Sequence, residues 1–283
     1  MVFQLFGLEK KRIILDTKLV RPIPYKARLD LHCKHELMAY FMGGYEYDTV
    51  EFLINLYDRE GYFMDIGANI GLLSIPFTLK VQSDTNKILP SPTSICFEAI
   101  KENCITLKRN IKTNNLQNSV KVYCVGLGDT EKVVDIQIED NLRDGEGTGT
   151  ANIIPADSDY MCERIPLKIK TLDSLMESGE LTQDCSLVKI DTDGYDLFIM
   201  KGARLLLTKS RPIIFGEFSA HCLGWHGQTV INVIEHMNNF KYYVYSKRSN
   251  EFKFEGNIDV NSYITDLLLV PEEKVNQLAW CIN

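Results

Sequence analysis

The sequence predicts an α/β fold in which helices cover both faces of a mostly parallel sheet. From residue 48 onward, short apolar runs alternate with helical stretches, which is the pattern of a parallel sheet with helical crossovers. Of the 283 residues, 45% are hydrophobic and 24% are charged, so the chain can bury a large core. This composition excludes a disordered chain or a disulfide-rich miniprotein, and the length suits one large domain with additions.

The elements follow one another in a regular order. A helix is predicted over residues 48–58, with Asp48 as its N-cap because Asp is a favoured capping residue. Strands are predicted over residues 62–66, 93–97, 120–125, 186–190 and 212–218. The helices predicted between and after them are 71–80, 101–114, 197–208 and 229–238. Residues 242–246 and 263–270 are expected to form a final antiparallel pair.

Residues 1–44 are predicted to be an N-terminal extension that packs on a main domain formed by residues 45–283. The net charge of −7 argues against general affinity for nucleic acid or an anionic membrane, although a local basic patch is compatible with it. No apolar run reaches the roughly 18 residues that a membrane-spanning helix needs, and no signal peptide is evident. We therefore expect a cytoplasmic protein with no nucleic-acid partner; the oligomeric state stays open.

Eight cysteines are present, and no two of them form a C-x-x-C pair, which weakens a zinc-binding or thioredoxin-type interpretation. An even number would allow four disulfides. Several cysteines, however, lie inside apolar runs, as Cys96 does in residues 94–97. Free cysteine is a common buried residue, so buried thiols in a reducing compartment are the expectation.

Ligands of parallel sheets bind beyond the carboxyl ends of the strands, so the loops after the strands are where a site is expected. The first such loop reads Asp65-Ile-Gly67-Ala-Asn69-Ile-Gly71. Gly67 allows a tight turn and a close approach of the backbone to a ligand. The spacing is not the dinucleotide G-x-G-x-x-G, and Asp65 would repel a pyrophosphate but attract an ammonium group. An ordinary strand–helix turn is the alternative.

The second loop starts at Glu98, directly after the strand predicted over residues 93–97. A carboxylate in this place can accept hydrogen bonds from both hydroxyls of a ribose. The alternative is a solvated acid at a helix start, where the helix dipole favours negative charge. Together with the first loop, Glu98 favours a nucleoside-containing cofactor.

Acidic residues also follow the two strands of the second half. Asp191 and Asp193 come after one strand, and Glu217 lies near the end of the next. Like charges this close repel, so two functional roles are considered: these three carboxylates hold Mg²⁺, or they take part in general-base catalysis. His221 is the leading candidate for the base because its ordinary pKa is near neutrality, with Asp191 or Asp193 as the alternative.

The ordered set of motifs resembles the FkbM family of S-adenosylmethionine-dependent methyltransferases from about residue 45 to residue 270. It comprises residues 65–71 (DIGANIG), 97–98 (FE), 126–129 (GLGD), 171–175 (TLDSL), 189–196 (KIDTDGYD) and 200–203 (MKGA). The resemblance implies a class I methyltransferase fold, a Rossmann-like three-layer sandwich with a mostly parallel seven-stranded sheet and an antiparallel last strand. Asp193 departs from the family pattern, in which Glu is common.

The resemblance also implies roles for individual residues. S-adenosylmethionine is the expected cofactor. Gly128 and Asp129 would lie beside its adenine, where a plain turn is the alternative, and Glu46 would lie beside its amino-acid end. The complete predicted cofactor-binding set is Glu46, Asp65, Gly67, Asn69, Glu98, Gly128, Asp129 and Asp191.

The function that the resemblance implies is methyl transfer to a hydroxyl of a small or saccharide acceptor. An N-methyltransferase and a non-catalytic S-adenosylmethionine-binding protein stay open as alternatives, whereas the missing G-x-G-x-x-G disfavours a nicotinamide dehydrogenase. Residues 129–163 hold ten acidic and two basic side chains, a net charge of −8. The Gly-rich stretch 140–152 within them is predicted to be an acceptor-binding lid, with a solvated loop as the alternative, and the negative charge favours a neutral or cationic acceptor.

Overall fold

The structure is a computed structural model that describes residues 13–84, 89–138, 163–248, 251–254 and 266–282. The strands are β1 (Ile14–Leu19), β2 (Tyr25–Asp30), β3 (Tyr62–Ile66), β4 (Ser94–Glu98), β5 (Val120–Cys124), β6 (Gly126–Leu127), β7 (Lys132–Ile138), β8 (Glu163–Lys170), β9 (Cys185–Ile190), β10 (Ile213–Glu217), β11 (Tyr242–Arg248), β12 (Glu251–Phe254) and β13 (Asp266–Pro271). The α-helices are α1 (Lys34–Met42), α2 (Tyr47–Leu56), α3 (Ser74–Ser83), α4 (Lys101–Thr113), α5 (Leu172–Glu177), α6 (Asp196–Lys201), α7 (Ala220–Trp225) and α8 (Val230–Asn238). A π-helix spans Leu206–Ser210 and a 3₁₀-helix spans Glu272–Leu278.

The central sheet has the strand order β12-β11-β13-β10-β9-β3-β4-β5. Strands β5, β4, β3, β9 and β10 are parallel, whereas β13 runs antiparallel to both β10 and β11. The predicted seven-stranded, mostly parallel sheet with an antiparallel last strand is therefore confirmed. Strand β12 adds an eighth strand at the edge, and β6, β8 and β7 form a separate small sheet.

Apolar side chains lie on both faces of the central sheet because helices cover the sheet on both sides. On β3, Phe63 packs with α2 and α3, whereas the next residue, Met64, belongs to a core cluster that includes α5, α6 and α8. Adjacent residues of a strand point to opposite faces, so the two clusters are the two faces of one sheet. This three-layer packing fixes the carboxyl ends of β3, β4, β9 and β10 next to one another.

The N-terminal extension packs against α4 and the loop after β3. Side chains of the β1–β2 hairpin, such as Leu29, share a core cluster with Ile70 and Leu107. The Tyr25 hydroxyl donates to the carbonyl of Leu72 at 3.3 Å. The division of the chain at residue 44 into an extension and a main domain stays a prediction.

The helix predicted over residues 197–208 is divided into α6 and the π-helix. Gly202 ends α6, and a Cβ at this position would lie 2.0 Å from the carbonyl oxygen of Gly128. The backbone of the β6–β7 turn therefore passes directly against the end of α6. In the sequence, the glycine is the only feature that marks this contact between distant segments.

The cysteine expectation is wrong for one pair. Cys33, Cys96 and Cys185 are buried free thiols, as expected. Cys104 of α4 and Cys124 of β5, however, form a disulfide with a Cα–Cα distance of 5.9 Å. Helix α4 packs against β5, which brings the two residues within the range that a disulfide requires. The cytoplasmic location stays a prediction.

Within the described residues, no helix is both long and apolar enough to cross a bilayer. The predicted lid at 140–152 lies outside the described residues, as does much of the acidic segment. The part of that segment that is described contributes β7, which the sequence analysis did not predict.

Candidate functional site

A cavity of about 290 Å³ lies beyond the carboxyl ends of β3, β4, β9 and β10. Eight of the predicted site residues line it: Glu46, Asp65, Gly67, Asn69, Glu98, Asp191, Asp193 and Glu217. The topology brings these residues together from four separate loops and from the start of α2. The cavity thus lies where parallel sheets bind their ligands.

The turn after β3 forms the floor of the cavity. Gly67 has a φ of +80°, and a Cβ there would lie 1.9 Å from the carbonyl oxygen of Asp191. Its N–H and that of Ala68 both donate to the carbonyl of Phe97 at 3.0 Å. Glycine is therefore required for both the backbone conformation and the close approach of the β9 loop.

Glu98 is held in place by backbone donors. Its two carboxylate oxygens accept hydrogen bonds from the N–H groups of Asn69 (2.7 Å) and Ile100 (2.8 Å). Burial raises the pKa of Glu98 above its ordinary value, although these donors oppose the shift. Oε1 also accepts from the side-chain amide of Asn103 at 3.5 Å, whereas Oε2 keeps a further lone pair that can accept from a hydroxyl of a ligand.

Beside Glu98, the cavity wall is apolar. The side chains that form it come from the end of β4 and from the small sheet β6-β8-β7. They include Phe97, Ile100, Leu127, Ile136 and Ile169. A flat, mostly apolar ring suits this wall, while Glu98 supplies the neighbouring polar anchor.

Lys189 is the central cation of the site, and the sequence analysis did not name it as a site residue. Its Nζ lies 3.2 Å from Asp191 Oδ2 and 3.7 Å from Asp65 Oδ1, and it donates to the carbonyl of Gly67 at 3.4 Å. Burial lowers the pKa of Lys189, but the charges of Asp191 and Asp65 outweigh this and raise it. A lysine in an otherwise apolar strand, two residues before an acid, was the signal available in the sequence.

Asp65 is fully buried at the end of β3. Its Oδ2 accepts a hydrogen bond from the Ser74 hydroxyl of α3. Burial raises the pKa of Asp65, while the charge of Lys189 and the Ser74 hydrogen bond act in the opposite direction. The buried Asn69 Oδ1 has no hydrogen-bond partner among the described residues, so one acceptor in this part of the cavity stays available to a ligand.

Two carboxyl groups at the other end of the cavity have a pKa near neutrality. Burial and then the charge of Asp191 raise the pKa of Asp193 to about 7. Partial desolvation and the charge of Asp191 raise the pKa of Glu217 to about 7 as well. Burial raises the pKa of Asp196 too, to about 6, but this residue is not among those that line the cavity. Its carboxylate accepts from Thr192 and Gly194 and closes the turn before α6.

Aromatic side chains border this end of the cavity. Tyr45 is half-buried, and its pKa is raised first by burial and then by the charge of Glu46. His226 also lines the cavity, with its ring 5.4 Å from that of Tyr195. Burial lowers the pKa of His226, so it is neutral at neutral pH.

Three predicted site residues are not among the described residues that line the cavity. His221 is exposed on α7, and its ring lies 5.0 Å from that of Trp225. Gly128 packs against Ile169, where a Cβ would lie 2.8 Å from the Ile169 Cγ2 atom. Asp129 forms an ion pair with Lys132 at 3.3 Å. Residues from 125 to 127, just before this pair, supply the cavity wall instead.

The predicted magnesium site is not supported. Asp191, Asp193 and Glu217 line one cavity, but in the described part of the chain no group of three His, Cys, Asp or Glu residues could hold a metal ion. Lys189 already neutralises Asp191.

The family comparison matches most of the chain. The family model described as methyltransferase FkbM domain matches residues 65–247, which include the turn after β3 and the acids after β9 and β10. Among curated proteins, no sequence matches this chain.

Solved structures of similar fold are distant in sequence. A methyltransferase FkbM from Methylobacillus flagellatus is 16% identical with a TM-score of 0.43, and the match covers 77% of this chain and 47% of that protein. A precorrin-6y C5,15-methyltransferase from Geobacter metallireducens is 12% identical with a TM-score of 0.43, covering 79% and 87%. A Pyrococcus abyssi tRNA (uracil-54, C5)-methyltransferase, solved with S-adenosyl-L-homocysteine, is 8% identical with a TM-score of 0.41, covering 90% and 43%. This chain thus spans less than half the length of the Methylobacillus protein.

Proposed function

The chain belongs to the FkbM methyltransferase family and has the class I methyltransferase fold, and on that premise we propose that it is an S-adenosylmethionine-dependent O-methyltransferase. Its acceptor is a small molecule or saccharide with a free hydroxyl. The proposal rests on one observation. A single cavity contains both Glu98 with its apolar neighbours, which suit a nucleoside, and two carboxyl groups, Asp193 and Glu217, with a pKa of about 7.

The residues of the first half of the cavity fit the cofactor. S-adenosylmethionine, when bound, supplies a methyl group activated by the sulfonium. Glu98 would accept from its ribose hydroxyls, and the apolar wall that includes Leu127 would cover its adenine. The unpartnered Asn69 Oδ1 and the carboxylates of Asp65 and Glu46 would face its amino-acid end, where an ammonium group needs acceptors.

The residues of the second half fit an acceptor hydroxyl. An alcohol is a weak nucleophile at neutral pH, and its proton must leave as the oxygen is methylated. A carboxylate of the Asp193–Glu217 pair accepts that proton, since a base works best when its pKa lies near the working pH. His226, neutral and lining the same cavity, would orient the hydroxyl. His221 does not line the cavity, so its position does not support the base role expected from the sequence.

Transfer of a labelled methyl group from S-adenosylmethionine tests the proposal. The acceptor panel pairs sugars and small alcohols with amine analogues of the same shape. We expect label on hydroxyl acceptors, and a 10²- to 10⁴-fold loss of kcat for a double variant, Asp193→Asn with Glu217→Gln. His221→Ala is the matched control, with activity close to that of the unmodified protein.

Three results would count against this function. Label on the amines alone would favour N-methylation, and no transfer to any acceptor despite cofactor binding would favour a non-catalytic binding protein. An equal loss of kcat in His221→Ala would return the base role to that residue. The same assay in the presence of EDTA tests the Mg²⁺ site considered from the sequence. Loss of methyl transfer in EDTA would show that the reaction needs a divalent cation.

A further inference from the structure

Part of the cavity wall comes from residues that precede the segment matching the family model. His35, Glu36, Tyr45 and Glu46 line the cavity, whereas the match begins at residue 65. The proposed function uses Glu46 of this set, at the amino-acid end of the cofactor. His35 lines the same cavity and has no part yet in binding or catalysis.

Helix α1 lies against the turn that forms the floor of the cavity. Ala39 is fully buried and belongs to the same core cluster as Ala68 and Ile70 of that turn. His35 precedes Ala39 by four residues, and residues with this spacing lie on the same side of a helix. The side of α1 that carries His35 therefore faces the turn after β3.

Hydrogen bonds fix α1 near both of its ends. In its first turn, the buried Glu36 carboxylate accepts from the Asp30 N–H at 2.5 Å. Beyond its last residue, the carbonyl of Gly43 accepts from the N–H groups of Val20 (2.7 Å) and Arg21 (2.8 Å). These bonds attach α1 to the β1–β2 hairpin, so a side chain of α1 that lines the cavity is held in place before a ligand arrives.

The ring of His35 has no hydrogen-bond partner within the described parts of the chain, and its contact is with Tyr45. The centroids of the two rings lie 5.7 Å apart. Burial first, then the charge of Glu46 and also that of Glu217 raise the pKa of Tyr45, so its hydroxyl lies close to these carboxylates. Through Tyr45, the wall that includes His35 continues to the end of the cavity that holds Glu217.

The chemistry of the His35 ring suits a hydroxyl group. In its neutral form an imidazole has one donor and one acceptor nitrogen, and a hydroxyl can pair with either. An anionic group fits less well. Among the described residues that line the cavity seven are acidic, whereas Lys189 is the single lysine or arginine. The ammonium group of Lys189 is already shared by Asp65 and Asp191.

We propose that His35 binds the acceptor of methyl transfer through a hydrogen bond to a second hydroxyl, one that is not methylated. This inference rests on the proposed function and adds the substrate class, which is a diol or a polyol. The methylated hydroxyl would lie at Asp193 and Glu217, and the second hydroxyl at the wall formed by His35 and Tyr45. Two points of attachment fix the orientation of the acceptor, so His35 is a residue that determines specificity.

Kinetics of methyl transfer to matched acceptors test this inference. Each hydroxyl acceptor is paired with analogues that keep the methylated hydroxyl and lack one other, and the smallest pair is trans-1,2-cyclohexanediol with cyclohexanol. For the unmodified protein we expect removal of the second hydroxyl to raise KM about tenfold, because one hydrogen bond is lost. His35→Phe keeps a ring against Tyr45 but has no ring nitrogen. It should raise KM for the diol about tenfold, remove the difference between diol and analogue, and leave kcat close to that of the unmodified protein.

Two further variants separate binding of the acceptor from support of the fold. His35→Gln keeps a donor and an acceptor, so it should recover part of the preference for the diol. Lys34→Ala changes the exposed neighbour of His35 on α1 and is the matched control, with an unchanged KM. Calorimetric titration with S-adenosylhomocysteine should give the same affinity for His35→Phe and the unmodified protein.

The inference alone fails if acceptors are methylated and His35→Phe has the KM of the unmodified protein. It also fails if KM rises as much in Lys34→Ala, since the effect would then come from α1 as a whole. A loss of S-adenosylhomocysteine affinity in His35→Phe as large as the rise in KM would place His35 at the cofactor instead. Absence of transfer to every acceptor would overturn the proposed function, and this inference with it.

Discussion

Lys189 holds together the charged centre of the cavity at the scale of single residues. Its ammonium group lies between Asp65 and Asp191, so these two acids share one buried cation. Asp193 and Glu217 receive less of that compensation, and their pKa rises to about 7. The four acids are therefore of two kinds, a pair that contacts Lys189 and a pair whose pKa lies near neutrality.

A pH dependence of stability follows for Asp193. Its pKa is raised from 3.8 to about 7 in the folded protein, so between those values the folded state holds a proton that the unfolded state has lost. The free energy of unfolding should therefore fall as the pH rises from 4 to 8. Asp193→Asn should remove this contribution and stabilise the protein at pH 8 by roughly 2 kcal/mol after allowance for solvent screening.

Urea denaturation at pH 5 and at pH 8 measures this difference. Asp173→Asn is a useful control, since that carboxylate lies outside the cavity and accepts from the Leu205 N–H. The free energy of unfolding of Asp193→Asn could also fall between pH 5 and pH 8 as steeply as that of the unmodified protein. This result would show that Asp193 does not titrate in this range.

Gly67 allows a second test at the residue scale. Gly67→Ala would place a Cβ 1.9 Å from the carbonyl oxygen of Asp191 at a φ of +80°, so we expect a loss of at least about 3 kcal/mol in the free energy of unfolding. Gly179 has a similar φ of +76° with no atom within 4 Å of its Cβ position. Gly179→Ala should therefore cost only the backbone strain, about 1 kcal/mol. Equal losses in denaturant titrations would mean that the loop after β9 does not lie against this turn.

At the scale of elements, the disulfide joins two parts of the site. Cys104 follows Asn103 and Cys124 precedes Val125, and both Asn103 and Val125 line the cavity. The bond therefore fixes the start of α4 relative to the end of β5, on both sides of Glu98. We expect it to stabilise the framework of the nucleoside end of the cavity.

Removal of the disulfide measures that stabilisation. Cys124 is exposed, so Cys124→Ser breaks the bond with little loss of packing. Closure of a loop with a sequence separation of 20 corresponds to about 3 kcal/mol in the unfolded chain, and this is the expected loss in free energy of unfolding. Reductant should destabilise the unmodified protein and Cys281→Ser by the same amount, and Cys124→Ser not at all. Insensitivity of the unmodified protein to reductant would contradict the pairing.

Local sequence patterns predicted the elements that carry the cavity, but not the contacts between distant segments. Strand ends at Asp65, Glu98 and Asp191 were readable because apolar runs and turn residues mark them. The pairing of Cys104 with Cys124 could not be predicted from the sequence, since eight cysteines allow many combinations. His221 and His226 lie five residues apart around the short helix α7, and only the fold decides which of them lines the cavity.

At the scale of the whole molecule, the strand order of the central sheet brings the loops of the site together. Strand β3 lies between β4 and β9, so the turn after β3 contacts both the ribose-type acid Glu98 and the charged centre at Lys189. The N-terminal extension adds α1, of which His35 and Glu36 line the cavity. The proposed cofactor end and acceptor end thereby belong to a single cavity.

Calorimetric titration with S-adenosylhomocysteine tests whether the cavity binds the cofactor through Glu98. We expect one binding site per chain, an affinity at least tenfold weaker for Glu98→Gln, and an unchanged affinity for His221→Ala. In Glu98→Gln, an NH₂ group takes the place of one of the two carboxylate oxygens. This group cannot accept a hydrogen bond, so the bond to the N–H of Asn69 or of Ile100 is lost, together with one acceptor for the ribose. Absence of binding heat, or equal affinity of Glu98→Gln and the unmodified protein, would contradict the account.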